Sequence, residues 1–298
     1  MLVVLWVMSV AAVFAMAAAL AGRNGAGGER NRVQLEKADW AARGCGLRML
    51  SAVDSVISSS RDINEAEATW RALTGRVDAE TVVRGLTCEV ELEAAGTKLD
   101  INSASAEMTA RILEALSYSG EAPQMVDALA DWIDADDEPR AAGAERSWYA
   151  AAVRALPRND SLADIRELSR VRGFEQLARF DSVLSTDPGR VSLATAPVTV
   201  LLAVPGFNTE AAERVVALAR AGTPLRDLAE LVPELSESAA TTLLARYRDA
   251  VRLTTPDPDA WIMTIRATNG LPSSTVTLKW RLVRSGRGVA IAHTRSGL

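Results

Sequence analysis

Residues 1–21, MLVVLWVMSVAAVFAMAAALA, carry no charge, and Ser9 is their only polar side chain. As a helix rising ~1.5 Å per residue this run spans about 30 Å, the thickness of one bilayer core. A secretory signal peptide is the competing reading. The run is longer than the usual ~7–15-residue apolar core of such a peptide, and no basic segment precedes it. A transmembrane helix at residues 1–22 is therefore expected. Its orientation is in conflict with the flanks: Arg23, Arg30 and Arg32 follow the run. Taken alone, the positive-inside rule would leave the bulk of the chain in the cytoplasm.

The 298 residues are enough for one large or two ordinary domains. The apolar start accounts for a mean hydropathy of +0.06. A net charge of −5 and a pI near 5.2 argue against a general nucleic-acid binder held by phosphate contacts. Cys45 and Cys88 suit either one disulfide in an oxidising compartment or two buried thiols. His293 is the single histidine, which excludes a His-based triad and a multi-His zinc site.

Beyond the apolar run, GRNGAGG at 22–28 is expected to loosen or break the helix before amphipathic spacing resumes at Val33 and continues to Ile57. A short helix near 66–73 and a strand at 87–93, TCEVELE, follow. From Leu99 the pattern turns helical for about 150 residues. Asn102 or Ser103 is the expected first cap, with helices near 105–117, 123–134, 146–155, 161–170 and 174–179. The layout of LDINSASAEMTARILEAL at 99–116 returns in VSLATAPVTVLLAVPGF at 191–207, which reads as an internal duplication. The second copy continues through Pro205-Gly206 into a helix near 210–220 and another stretch at 225–231, a helix-hairpin-helix layout. Residues 255–259, TPDPD, form a Pro-broken linker. Alternating segments at 261–268, 274–283 and 289–294 then predict a three-stranded antiparallel meander. Strand material brackets a helical block, so the fold class is α+β with a large helical insertion.

Chemistry concentrates at 131–149, DWIDADDEPRAAGAERSWY. Asp131, Asp134, Asp136, Asp137, Glu138 and Glu145 outnumber Arg140 and Arg146, and like charges this dense repel unless solvated or bridged by a cation. Counting from Asp134 imitates an EF-hand, but Pro139 stands where that loop needs Gly, so the EF-hand is rejected. Oxygen ligands without Cys or His favour calcium over zinc or copper; a wet surface loop is the alternative. A glycosidase-type carboxylate pair lacks support in a chain with 5% aromatic residues. The hairpin at Gly206 is followed by Glu210 and Glu213, whose charge would repel phosphate, so a structural role is expected there.

The chain resembles the minor pseudopilin K family of type II secretion systems, also called general secretion pathway protein K. The resemblance rests on LVVLW at 2–6, KLDINSASAE at 98–107, the acidic stretch, PRND at 157–160 with Leu162 and Ile165 to Leu168 beyond it, and SLATAPVTVLLAVPGF at 192–207. It covers nearly the whole chain. It implies a pilin-like α+β domain, at 23–98 and 255–298, interrupted by an inserted helical domain at 99–254. It also implies a non-enzymatic subunit of the bacterial inner membrane, N-terminus cytoplasmic and bulk periplasmic, that caps a pseudopilus. The implied partners are minor pseudopilins I and J, the inner-membrane secretion platform and secreted substrate proteins. Other pseudopilins carry a glutamate near the start of the mature helix. Here the first acidic residue is Glu29, which suits an end-of-filament subunit. The family's short basic leader is expected upstream of Met1, and its charges would resolve the orientation conflict. The family also binds calcium, which points to Asp131, Asp134, Asp136, Asp137 and Glu145 as ligands and to Trp132 and Trp148 as packing anchors. From another class, the alternative is a membrane-anchored helix-hairpin-helix DNA receptor of a competence-like apparatus.

Overall fold

A computed structural model describes the backbone of residues 2–73, 75–83, 85–177, 179–268, 275–286 and 288–297, and their side chains except at 2–15, 17–30, 75–83 and 295–297. The chain forms two compact units, Met1–Leu92 with Met263–Leu298, and Glu93–Ile262. The side chains of the expected membrane span at 1–22 lie outside the described residues, Met16 excepted. Among the described residues no helix is long and apolar enough to cross a membrane.

The first unit is built on helix α1, Leu2–Ser58. The expected break at 22–28 is absent: α1 runs through these glycines. Each glycine costs about 1 kcal/mol relative to alanine, but helix propagation is cooperative and good helix formers flank them. The buried stripe of α1 is made of small residues, Ala38, Ala41, Ala42 and Cys45, followed by Val53 and Ile57. Small side chains let a sheet approach closely; at Gly46 a Cβ would lie 2.7 Å from the Trp280 ring. Cys45 is joined by a disulfide to Cys88, with a Cα–Cα distance of 6.6 Å. Helix α2, Ile63–Arg71, is capped by Asp62, which accepts from the Glu65 N–H, and it buries Ala66 and Trp70.

Five strands form the sheet, in the order β1-β2-β7-β8-β9: β1 Gly75–Val83, β2 Leu86–Ala94, β7 Trp261–Thr268, β8 Val276–Ser285 and β9 Gly288–Gly297. The pairs β1/β2 and β8/β9 are antiparallel. Along β8 the buried Val276, Leu278, Trp280 and Leu282 alternate with less buried residues, the period of a strand with one face on a core. Strand β9 is pinned at its start, where the Val289 N–H donates to Asp54 Oδ1 of α1 at 2.8 Å.

Within the second unit, β3 (Leu99–Asp100) pairs in parallel with β4 (Leu184–Ser185), and β5 (Val191–Ser192) with β6 (Thr254–Thr255). Between β3 and β4 lie helices α3, Ala106–Ala115, α4, Ala122–Ile133, and α5, Arg146–Ala151. Between β5 and β6 lie α6, Val198–Leu202, α7, Thr209–Arg220, α8, Glu237–Ala245, and α9, Tyr247–Leu253. Each half thus opens on a two-residue strand, enters a helical run and closes on the strand that pairs with the first. Arg111 of α3 stitches the halves: its guanidinium donates to Leu202 O at 2.9 Å and Phe207 O at 2.5 Å, carbonyls that α6 and its turn leave open.

The cap of α3 is Ser105, whose hydroxyl accepts from the Met108 N–H, and not Asn102 or Ser103. Asn102 is occupied elsewhere: its side chain donates to Leu162 O at 3.0 Å and accepts from Leu162 N at 2.8 Å. The expected helices near 161–170, 174–179 and 225–231 appear as 3-10 turns, Ile165–Arg170, Phe174–Gln176 and Leu228–Glu234. Gly173, at φ +89°, separates the first two, and Pro233 lies inside the third.

Candidate metal centre

Helix α4 has Pro123 in its first turn and buries Met125, Ala128, Leu129 and Trp132 at helical spacing. Asp131 shares that buried region and is 0% exposed. Beyond the helix end at Asp134 the acidic loop folds back onto α4. The backbone N–H of Arg140 reaches the Asp131 carboxylate at 3.2 and 3.3 Å, and the Ala142 N–H reaches Asp127 Oδ2 at 3.0 Å. This return requires glycine at 143, where a Cβ would overlap Asp131 Oδ2. Glu145 ends the loop as the residue that precedes α5 and is 1% exposed.

Ligand oxygens of Asp131, Asp134 and Glu145 all lie within 4.8 Å of one another. One cation serves them: Arg140 Nη1 donates to Asp131 Oδ1 at 2.7 Å and to Asp134 Oδ2 at 2.5 Å. Both oxygens of Glu145 and Oδ1 of Asp134 are buried without a hydrogen-bond partner. Burial pushes the Glu145 carboxyl above its ordinary range; the Arg146 backbone N–H opposes this, and the charges of Asp131, Asp134 and Asp137 add to it. Asp134, then Asp131, hold Arg140 more firmly protonated than usual. Three carboxylates against one guanidinium leave two negative charges, the complement of a divalent cation. The orphaned oxygens are hard donors with no sulfur or imidazole among them, the set that calcium takes. By chemistry and by charge, the three residues fit that ion.

Asp136 and Asp137 stand apart from this cluster on the exposed part of the loop. Asp136 Oδ1 accepts from the Glu138 N–H at 2.9 Å, and Asp137 lies 3.7 Å from Arg146. Asn159, which sequence reasoning left without a role, ties the loop down by donating to Asp136 O at 2.7 Å and to Asp137 Oδ1 at 3.2 Å. Its Oδ1 is itself buried without a partner, and its φ is +53°. The PRND run was visible in the sequence, and an Asn that tolerates a left-handed backbone was the signal to follow there. Arg140, legible in the sequence only as a positive charge, bridges Asp131 and Asp134, and Gly143 leaves room for the return of the loop.

Aromatic rings brace the loop ends. Trp132 and Trp148 each meet Tyr149 edge-on at 5.0 Å, and the Tyr149 hydroxyl accepts from the Arg172 N–H at 2.9 Å. Arg172 also stacks on Trp148, 4.8 Å from the ring centroid, and donates to Gly143 O at 3.0 Å. Trp132 is fully buried and Trp148 partly so.

Val153, two residues past the end of α5, has φ +54° and is 93% exposed. A left-handed β-branched residue costs about 1–2 kcal/mol, and an exposed side chain returns no packing. Val153→Gly is expected to raise the melting temperature by about 2 °C, because the strain removed exceeds the ~0.5–1 kcal/mol of added chain entropy. Differential scanning calorimetry reads the sign, and a lowered transition would refute the strain.

Residues 64–179 match the family model described as type II secretion system (T2SS), protein K. The segment that contains α3, α4 and α5 is thus similar to type II secretion system protein K. Over 106 residues the chain is 31% identical to the type II secretion system protein K of Dickeya chrysanthemi, an alignment covering 32% of this chain and 29% of that relative. The chain thus spans less than a third of the length of the curated relative it matches. A chain of the GspK-GspI-GspJ complex from the enterotoxigenic Escherichia coli type 2 secretion system shares the fold. It aligns with a TM-score of 0.61 at 16% identity, over 90% of this chain and 99% of that one. Asp131, Asp134 and Glu145 all fall inside the segment that matches the protein K model.

Proposed function

We propose that this chain is a minor pseudopilin that sits at the tip of a type II secretion pseudopilus and nucleates or caps it together with minor pseudopilins I and J. The match of residues 64–179 to protein K carries this reading. The likeness to a chain of the GspK-GspI-GspJ complex supports it at the level of fold. The apolar residues 1–21 anchor the chain in the inner membrane, and α1 carries the rest into the periplasm, where the platform and the exported proteins meet it. Its role is structural and not catalytic. Calcium, held by Asp131, Asp134 and Glu145, rigidifies the insertion: it supplies the positive charge that lets three carboxylates share one buried site.

Affinity purification of the tagged full chain from detergent-solubilised membranes, co-expressed with the I and J pseudopilins of its own system, tests the proposal. A stoichiometric ternary complex is the expected result, together with loss of export to the medium when the chain is deleted. Purification of the chain alone, with export intact in the deletion strain, would overturn it.

A further inference from the structure

The carboxylates of the candidate site leave few oxygens free. Both oxygens of Asp131 accept from the Arg140 backbone N–H, and Arg140 Nη1 also takes Asp131 Oδ1 and Asp134 Oδ2. Asp134 Oδ1 and the two Glu145 oxygens remain without a partner. Calcium takes ~6–8 oxygen ligands, so this set is short. A further carboxylate would carry the cluster beyond the two negative charges that balance a divalent ion. What the site lacks is a neutral oxygen.

One such oxygen is bound to this loop. Asn159 Oδ1 is buried and has no hydrogen-bond partner. The orientation of the amide is fixed, because Nδ2 donates to Asp136 O at 2.7 Å and to Asp137 Oδ1 at 3.2 Å, and turning it over would set oxygen against two acceptors. Asp137 in turn lies 3.7 Å from Arg146, the residue after Glu145. The backbone at 159 is left-handed, at φ +53°, which Asn tolerates better than most residues. A tether between Asn159 and the loop accounts for Nδ2. It leaves Oδ1 unexplained, and a buried amide oxygen is costly without a positive partner.

We propose that Asn159 is a further ligand of the calcium site, supplying a neutral amide oxygen beside the carboxylates of Asp131, Asp134 and Glu145. The inference rests on the calcium reading above and names a donor that no count of acidic residues would find. An amide oxygen adds a ligand without adding charge, so the balance between the cluster and a divalent ion is kept. Its two Nδ2 hydrogen bonds hold it in place before the ion arrives.

Calorimetric titration of calcium chloride into the full chain, stripped of ions and held in a neutral detergent, tests the assignment. Asn159→Gly keeps the left-handed backbone and removes the amide; it is expected to weaken calcium binding about tenfold or more. Asn159→Asp keeps an oxygen at this position but cannot donate to Asp136 O or Asp137, so it separates a ligand from a tether. It is expected to bind within about threefold of wild type, or more tightly. Binding by Asn159→Gly that equals wild type, or Asn159→Asp as weak as Asn159→Gly, overturns the proposal and leaves the calcium reading standing. A wild-type chain that takes up no calcium overturns both. Melting in chelator checks that each variant folds. Should Asn159→Gly not fold, Asn159→Asp is compared with wild type alone, and a loss of about tenfold there overturns the proposal.

Discussion

In calcium, the full chain is expected to melt several degrees above its melting temperature in chelator. An ion that binds only the folded state contributes about 2.7 kcal/mol at a hundredfold excess over its dissociation constant, which for a unit of this size corresponds to roughly 5–10 °C. Glu145→Gln sharpens the test. Both Glu145 oxygens are buried and unpartnered, so the amide removes a charge that the ion-free protein must hold. The variant is expected to melt above wild type in chelator and to gain nothing from calcium. Acidity has opposite signs in the two conditions. In chelator, the raised Glu145 carboxyl contributes stability that is fully present below its unfolded value and lost as pH rises through the folded one. Through that window, acidification therefore favours the ion-free fold as far as Glu145 is concerned. A bound calcium ion would hold Glu145 ionised, and protons would displace it. The separation between the two melting curves thus narrows as pH falls from neutral. Coincident melts at neutral pH would leave 131–145 as a surface loop.

Reduction of the Cys45–Cys88 disulfide lowers the stability of the first unit by about 4 kcal/mol, the chain entropy released when a loop of 43 residues opens. Both sulfurs are buried, so the bond is held from thiol reagents until the unit opens. Cys45→Ala with Cys88→Ala should reproduce the loss without reductant. Calorimetry of the full chain separates this effect from the first: cysteine replacement acts on the unit that contains α1 and the sheet, calcium on the unit that contains α4 and α5. An unchanged transition in a sample whose thiols are shown to be free would exclude a stabilising role for the bond. A calcium response lost with the disulfide would show that the units do not melt independently.

Much of this fold was legible because its period is local. Trp261–Thr268 and Leu86–Ala94 alternate as half-buried strands should, and the Asn208 cap and apolar spacing mark α7. Where the period fails, the reading fails. In α8, Leu243 is buried and its neighbour Leu244 exposed, so no apolar stripe announces that helix. Strand β1, GRVDAETVV, begins an alternation at Val77, Asp78, Ala79 and Glu80, but its register with β2 slips between Val77 and Glu80. The 3-10 turns near Gly173 and Pro233 keep helical spacing in the sequence without the length for an α-helix.

The same division holds at the candidate site. The sequence alone determined that a dense acidic loop joins two helices and that only oxygen donors lie there, since spacing and residue type are local facts. Which oxygens converge is not local. Asp131 and Glu145 are fourteen positions apart, and they meet because Gly143 leaves room for the loop to return and Arg140 bridges Asp131 to Asp134. Asp136 and Asp137, equal to the others in sequence, stay on the solvent side because the loop's own amides and Asn159 occupy them. Burial made the choice: a carboxylate becomes a strong cation site only where packing withholds water from it, and packing is a property of the folded chain.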